Sequence, residues 1–143
     1  MNNTNTNPVG LFKRFTIMFY DAILLAALLF FASILVAIPF EITQEHTWYP
    51  AYILYIHVVA YLFLGWCWTH GGQTLGSKTW KIKLISDSGP SVTWGQALLR
   101  YIGSLLCWIS LGLGFLWCYT NKDRRAWNDM ISKTRLIKVS AQT

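Results

Sequence analysis

Charge is what this sequence has little of. Only 13% of its 143 residues are Asp, Glu, Lys or Arg, while 54% are hydrophobic and 16% aromatic. A soluble domain is usually about one-quarter charged, so this chain lacks the means to cover an ordinary water-facing surface. Cysteine is sparse as well: Cys67, Cys107 and Cys118 all lie in apolar runs, and their number is odd. No CxxC or Cys/His spacing surrounds them, which points away from a disulfide framework or a metal site and towards small buried thiols. No Ser/His/Asp set, paired catalytic carboxylates or metal-ligand cluster is visible. The chain is therefore expected not to be an enzyme and to use no cofactor or metal.

What it does have is three long apolar runs. Residues 15–40 contain only Thr16, Asp21 and Ser33 as clearly polar side chains, and residues 51–68 only His57 apart from tyrosine hydroxyls. Residues 94–120 form the third, interrupted by Arg100 and a Ser-Leu-Gly-Leu-Gly break. A helix needs about 20 apolar residues to cross the ~30 Å hydrocarbon core, so the first two runs are long enough. The first also exceeds the ~7–15 residues of a signal-peptide core and is expected to be retained. The polar lead MNNTNTNPVG, residues 1–10, reads as a disordered tail, followed by a single membrane domain over 11–140.

The net charge of +6 would fit nucleic acid, but its placement fits a bilayer and no nucleic acid. Basic residues gather at Lys13 and Arg14, at Lys78, Lys81 and Lys83, and between Lys122 and Lys138. The connection EITQEHTWYP has none and carries Glu41 and Glu45. Cytoplasmic segments collect Lys and Arg, and aromatic side chains collect at both interfaces. The expectation is a multi-pass protein of the cell (inner) membrane with both termini cytoplasmic, helices over 11–39 and 50–69, and residues 41–50 outside. Trp48, Tyr49 and Tyr52 suit the outer interface, and Trp66, Trp68, Trp80 and Trp94 the inner one.

A single crossing by the third run would put the basic tail outside. The glycines at the break weaken a helix there, so residues 93–120 are expected to form a broken, re-entrant segment. Irregular backbone at that depth must be shielded by protein. Thr93-Trp-Gly-Gln96 has the form of a capping box, and beyond it Gln96, Arg100, Ser104 and Cys107 make one polar stripe. TWKIKLIS (79–86) and TRLIKVS (134–140) both read as strands and together predict a two-stranded cytoplasmic ribbon. Between the break and the second strand, residues 122–132 read as an interfacial helix capped by Asn121, with Trp127, Met130 and Ile131 on the membrane surface. The fold class is thus an all-α polytopic membrane protein with a small β ribbon.

Asp21 carries the chemistry. It lies seven residues after Arg14, on the same helix face and ~10 Å along the axis. Three readings stay open: an interfacial carboxylate that snorkels or caps nearby backbone, a buried cluster with Arg100 or another cation, and a titrating transport carboxylate. The second is the reading taken. His57 could titrate near neutral pH and would form a proton relay with Asp21 under the third. GGQTLGSKT (71–79) imitates a phosphate-binding loop, but its Ser-Lys order is reversed and it follows a helix rather than a strand. It reads as a turn into the ribbon. Asp129, four residues after Arg125, would on spacing alone be an exposed pair worth only ~0.3–0.5 kcal/mol.

An Arg at the start of the first membrane helix, an Asp inside it and an Asp in the closing segment resemble the RDD family, with Arg14, Asp21 and Asp129 as its namesakes. Gly72-Gln-Thr-Leu-Gly76, Ala97-Leu-Leu-Arg100-Tyr, Gly114-Phe-Leu-Trp and Trp127-Asn-Asp129…Thr134 extend the resemblance over residues 11–140. The family often has His before the last Asp and Ala-Gly before the Thr. Here Asn128 and Ser132-Lys133 stand instead, which weakens any His–Asp proton shuttle. A polar cluster that holds helices together or engages partner chains points to a non-catalytic accessory or partner-binding membrane subunit. The resemblance implies, as the alternative, a cation/proton (sodium/proton-type) transporter using Asp21, which a chain with so few helices could form only as an oligomer. The implied partners are lipid, further copies of this chain, or other membrane proteins. The accessory role is the expectation taken.

Overall fold

The computed structural model describes residues 9–139. Ser140, at the end of the expected second strand, lies outside them, as does most of the expected tail. Val9 is nonetheless buried, so at least one residue of the stretch expected to be disordered is packed. Val9 packs with Ile17 and Ile82 against Trp80 and Leu136.

Helix α1 spans Leu11–Ala37 and α2 spans Tyr49–Thr69, with Pro50 at the start of α2. Both are long and apolar enough to cross a membrane. At 27 residues, α1 would measure ~40 Å, more than the hydrocarbon core needs. Its surplus is the first third, where Leu11, Arg14, Ile17 and Met18 serve as packing or pairing positions. Beyond Asp21 its large side chains Ile23, Phe30, Phe31 and Leu35 are exposed. Small buried residues, Ala32 on α1 and Ala60 and Gly65 on α2, permit close helix approach. The Ser33 and Tyr52 hydroxyls bond between these two helices, and Tyr55 donates to the Ala32 carbonyl at 3.3 Å.

The segment read as a turn folds into a short helix, α3 (Leu75–Thr79), capped by the Thr74 side chain. The strand expected from residue 79 is thus shortened to β1 (Ile82–Ser86), because Thr79 belongs to α3 and Lys81 turns the chain with φ 52°. Ile82 and Leu84 face inward as the alternation predicts. Strand β2 (Thr134–Lys138) pairs antiparallel with β1, placing Leu84 opposite Leu136. Its entry repeats the device at β1: a five-residue helix, then Lys133 with φ 52°.

Between the strands, α4 (Trp94–Ile109) and α5 (Leu113–Thr120) are bent by 99° at their break. Thr93 and Gln96 form the expected capping box. Leu111 and Gly112, with φ 56° and 84°, make the bend. Gly114 does something other than break a helix. It lies inside α5, where an added Cβ would sit 2.5 Å from Cys107 Sγ, so its bareness lets α5 close onto α4. Cys107 and Cys118 pack there with Phe115 and Ala126. Because β1 precedes the bent pair and β2 follows it, the ribbon brings the chain back to the end of the molecule from which α4 departed.

The helix expected over 122–132 shrinks to α6 (Trp127–Ile131). Arg124, with φ 49°, interrupts regular geometry before it, and Asn121 caps only the turn at Asp123. Met130 and Ile131 are partly exposed, whereas Trp127 packs against the Cys107–Phe115 cluster.

Candidate functional site

Asp129 is fully buried, and it organises the ribbon end of the molecule. Its place in the first turn of α6 lets Oδ2 accept from the Ala126 amide at 3.3 Å, satisfying an otherwise orphaned helix donor. The same oxygen accepts from Arg14 Nη1 at 2.6 Å, and Oδ1 accepts from Arg100 Nη1 at 2.5 Å. Arg14 anchors further through the carbonyls of Val9 and Arg124. Arg100 also donates to Thr134 Oγ1 at 3.1 Å, and its guanidinium carbon lies 5.4 Å from the Trp68 ring centroid. One carboxylate thus ties together α1, α4, α6 and the entry to β2, with a contact to α2.

Burial alone would push the Asp129 carboxyl up, but the charges of Arg100 and Arg14 outweigh it and hold it below the ordinary carboxylate value. Both arginine side chains are nearly buried, at 10% and 8% exposure. The cluster therefore holds two cations for one anion. A polar shell supports it: Ser104 donates to the Arg100 carbonyl and accepts from Asn128 Nδ2, and Ser132 joins Asn128 to Thr134. Gly103 makes room, since a Cβ there would lie 2.9 Å from Asn128 Cα.

Asp21 makes a separate site. Its Oδ2 accepts from Thr74 Oγ1 at 2.6 Å, and Oδ1 from the Gly76 amide at 3.1 Å. Gly76 is required there, because a Cβ would come within 2.8 Å of Asp21 Oδ1 and 2.9 Å of the Ile17 carbonyl. The expected Asp21–Arg100 cluster does not form, since Arg100 pairs with Asp129. Asp21 instead caps neighbouring backbone, the first of its three sequence readings. The expected surface pair of Asp129 with Arg125 is also replaced: Arg125 makes a two-pronged bond to Asp87. His57 is exposed on α2, and its Nδ1 bonds the Ile53 carbonyl one turn back rather than Asp21.

Sequence reasoning brought Arg14, Asp21, Arg100 and Asp129 forward but missed Thr74, Gly76 and Ser104 as their partners. Thr74 had a signal: a threonine before a short run is a helix-cap residue. Both sites border a cavity of about 190 Å³, lined from every element of the fold and in part by Arg14, Asp21 and Arg100.

These features define a small, mostly helical protein with two span-length helices, a bent third segment, and a ribbon-ended cap locked by an Arg–Asp–Arg cluster. The chain belongs to the RDD family, whose model matches residues 8–133. It is 25% identical over 148 residues to "Uncharacterized protein YxaI" of Bacillus subtilis (strain 168), an alignment covering 91% of this chain and 97% of that protein. No solved structure matches the chain.

Proposed function

We propose that this is a non-catalytic accessory or partner-binding protein of the cell membrane, with α1 and α2 spanning it and the ribbon end in the cytoplasm. The observation that carries this reading is that both signature carboxylates are engaged by fixed intramolecular donors. Asp129 is clamped by Arg14 and Arg100, and Asp21 by Thr74 and Gly76. Such groups hold a scaffold together. A carboxylate that carries ions must release its partners in every cycle. Orientation is supported by charge: Lys78, Lys81, Lys122, Arg124, Lys133, Arg135 and Lys138 are exposed at the ribbon end. The α1–α2 connection exposes Glu41 and Glu45 and no cation. The exposed phenylalanines of α1 would face lipid or a partner helix.

A second reading, oligomeric cation/proton exchange, draws on the cavity beside Asp21. Reconstitution separates the two. The accessory role expects no sodium or potassium flux driven by a pH gradient beyond that of empty vesicles. It also expects Asp21→Asn to lower protein accumulation or partner co-purification. Flux by the wild type that Asp21→Asn abolishes, in a variant that still folds, would overturn the accessory role.

A further inference from the structure

The two edges of the β1–β2 ribbon differ. On β1 the Leu84 amide donates to the Gly72 carbonyl at 2.6 Å and Gln73 Nε2 donates to the Ile82 carbonyl at 2.9 Å, so residues 72–73 cover that edge. On β2 the parity of the ladder fixes which groups look outward. The Val139 amide donates to the Lys81 carbonyl at 2.8 Å, and the Asp87 amide to the Lys133 carbonyl at 3.0 Å. In an antiparallel pair, residues that exchange such bonds alternate with residues that do not. Arg135 and Ile137 therefore turn their backbone groups to β1, while Thr134, Leu136 and Lys138 turn theirs away. Thr134 is buried, but Leu136 is half-buried and Lys138 is exposed. Among the described residues, nothing bonds the backbone N–H and C=O of Leu136 or Lys138. Such a row of open groups is a template for a further strand.

Charge decides what kind of strand fits. Lys133, Arg135 and Lys138 are all exposed, and no carboxylate occurs from 133 to 139. The Lys13 ammonium on α1 lies close to that of Lys138, and neither lysine has an ion pair among the described residues. Arg135 has a 3.9 Å contact with Asp87, whose two oxygens already bind Arg125. A second copy of β2 would double these cations and bring no anion, the arrangement by which basic edges prevent self-pairing. A bilayer of acidic headgroups matches the charge, but offers no N–H donors in register for the Leu136 and Lys138 carbonyls. We propose that β2 is a docking edge for an extended acidic segment of a partner protein, which adds as a third strand at Leu136 and Lys138. Its carboxylates lie on the ribbon face that carries Lys83 and Arg135, and its apolar side chains on the face of Leu136. Strand addition draws affinity from main-chain bonds and specificity from alternate side chains.

The test uses the full chain in phosphatidylcholine nanodiscs. The probe is a fluorescein-labelled peptide of alternating glutamate and valine, about eight residues long. Fluorescence anisotropy reads binding, and hydrogen exchange at the Leu136 and Lys138 amides reads the edge itself. The peptide should bind saturably and slow exchange at both amides, while its lysine–valine counterpart should do neither. Lys138→Gln removes one charge from the edge. Lys138→Pro removes the same charge and the outward N–H, and leaves the bonds to β1 intact. Lys138→Pro should therefore bind the peptide about tenfold more weakly than Lys138→Gln, the worth of one hydrogen bond. No binding by the wild type, equal binding by the two variants, or undiminished binding of a peptide N-methylated at alternate residues would each overturn the docking edge. So would slowed exchange at Leu136 and Lys138 without peptide, in phosphatidylglycerol nanodiscs or in a dimer of the chain, since a bilayer or a second copy would then be the occupant. The inference names a partner chemistry for the accessory reading above and rests on it. That reading fails separately, by Asp21-dependent flux, whether or not the peptide binds.

Discussion

Replacing Asp129 by Asn removes one charge and almost no volume, so it isolates what the buried carboxylate contributes. In the wild type two guanidiniums, 10% and 8% exposed, converge on a side chain with 0% exposure. Asn keeps one acceptor oxygen but turns an amide donor towards one of the two arginines. Two buried cations are then left without their anion. Breaking a buried pair by removing one partner typically costs ~3–5 kcal/mol, and with two cations stranded the upper half of that range is expected. The assay is reversible unfolding in mixed micelles of mild detergent and dodecyl sulfate, followed by circular dichroism, at several pH values. The Asp129 carboxyl is held below its ordinary value. Its contribution is therefore complete above the unfolded-state pKa of ~3.9 and is lost only as pH falls through the lower folded value. The stability gap between wild type and Asp129→Asn should stay constant from about pH 5 to 8 and narrow only below about pH 4. A gap under ~1 kcal/mol at neutral pH, the worth of an exposed pair, would refute the reasoning. So would a gap that closes between pH 5 and 7.

Other perturbations test the close approaches. Gly114→Ala places a Cβ 2.5 Å from Cys107 Sγ, and should cost ~1–3 kcal/mol in the same assay, with part of the loss recovered by Cys107→Ala. Asp21→Asn leaves either the Thr74 hydroxyl or the Gly76 amide without its acceptor, for a loss of ~1–3 kcal/mol. In a Thr74→Val background a smaller loss is expected, so additive losses would argue against the contact. Lys133 is exposed and sits at φ 52°, so Lys133→Gly should raise stability by up to about 1 kcal/mol. A drop would show that the turn carries no strain.

How legible the fold was depended on the length of each pattern. The span-length helices, the capping box at Thr93 and the inward stripe of α4 could be read because hydrophobic period and cap chemistry agree over many residues. The ribbon could be read from alternation at Ile82 and Leu84. Helix α3 could not, because five residues are too few to display a helical period, and Gly76 within it, with Gly71 and Gly72 just before it, suggests a turn. The same brevity hid the true start of α6. Of the site, the four charged residues were legible as chemical oddities in an apolar chain, but their pairing was not. Asp21 finds Thr74 and Asp129 finds Arg14 across more than fifty residues of sequence, and only the folded helix order decides between Asp21 and Asp129 as the partner of Arg100. Gly76, Gly103 and Gly114 were read as flexible or not at all. Their actual role is to let two elements touch, which depends on what stands opposite.

In the membrane placement we propose, the bent α4–α5 pair enters and leaves the bilayer on the face where α1 begins, so that one cap closes over one side. Sided thiol labelling tests it most directly. Single cysteines at Glu45, Ser88 and Lys122, all exposed, would be placed in a chain with its own cysteines replaced by serine. An impermeant reagent should label position 45 in intact cells, and positions 88 and 122 only after the membrane is opened. Labelling of 122 together with 45 in intact cells would contradict that placement.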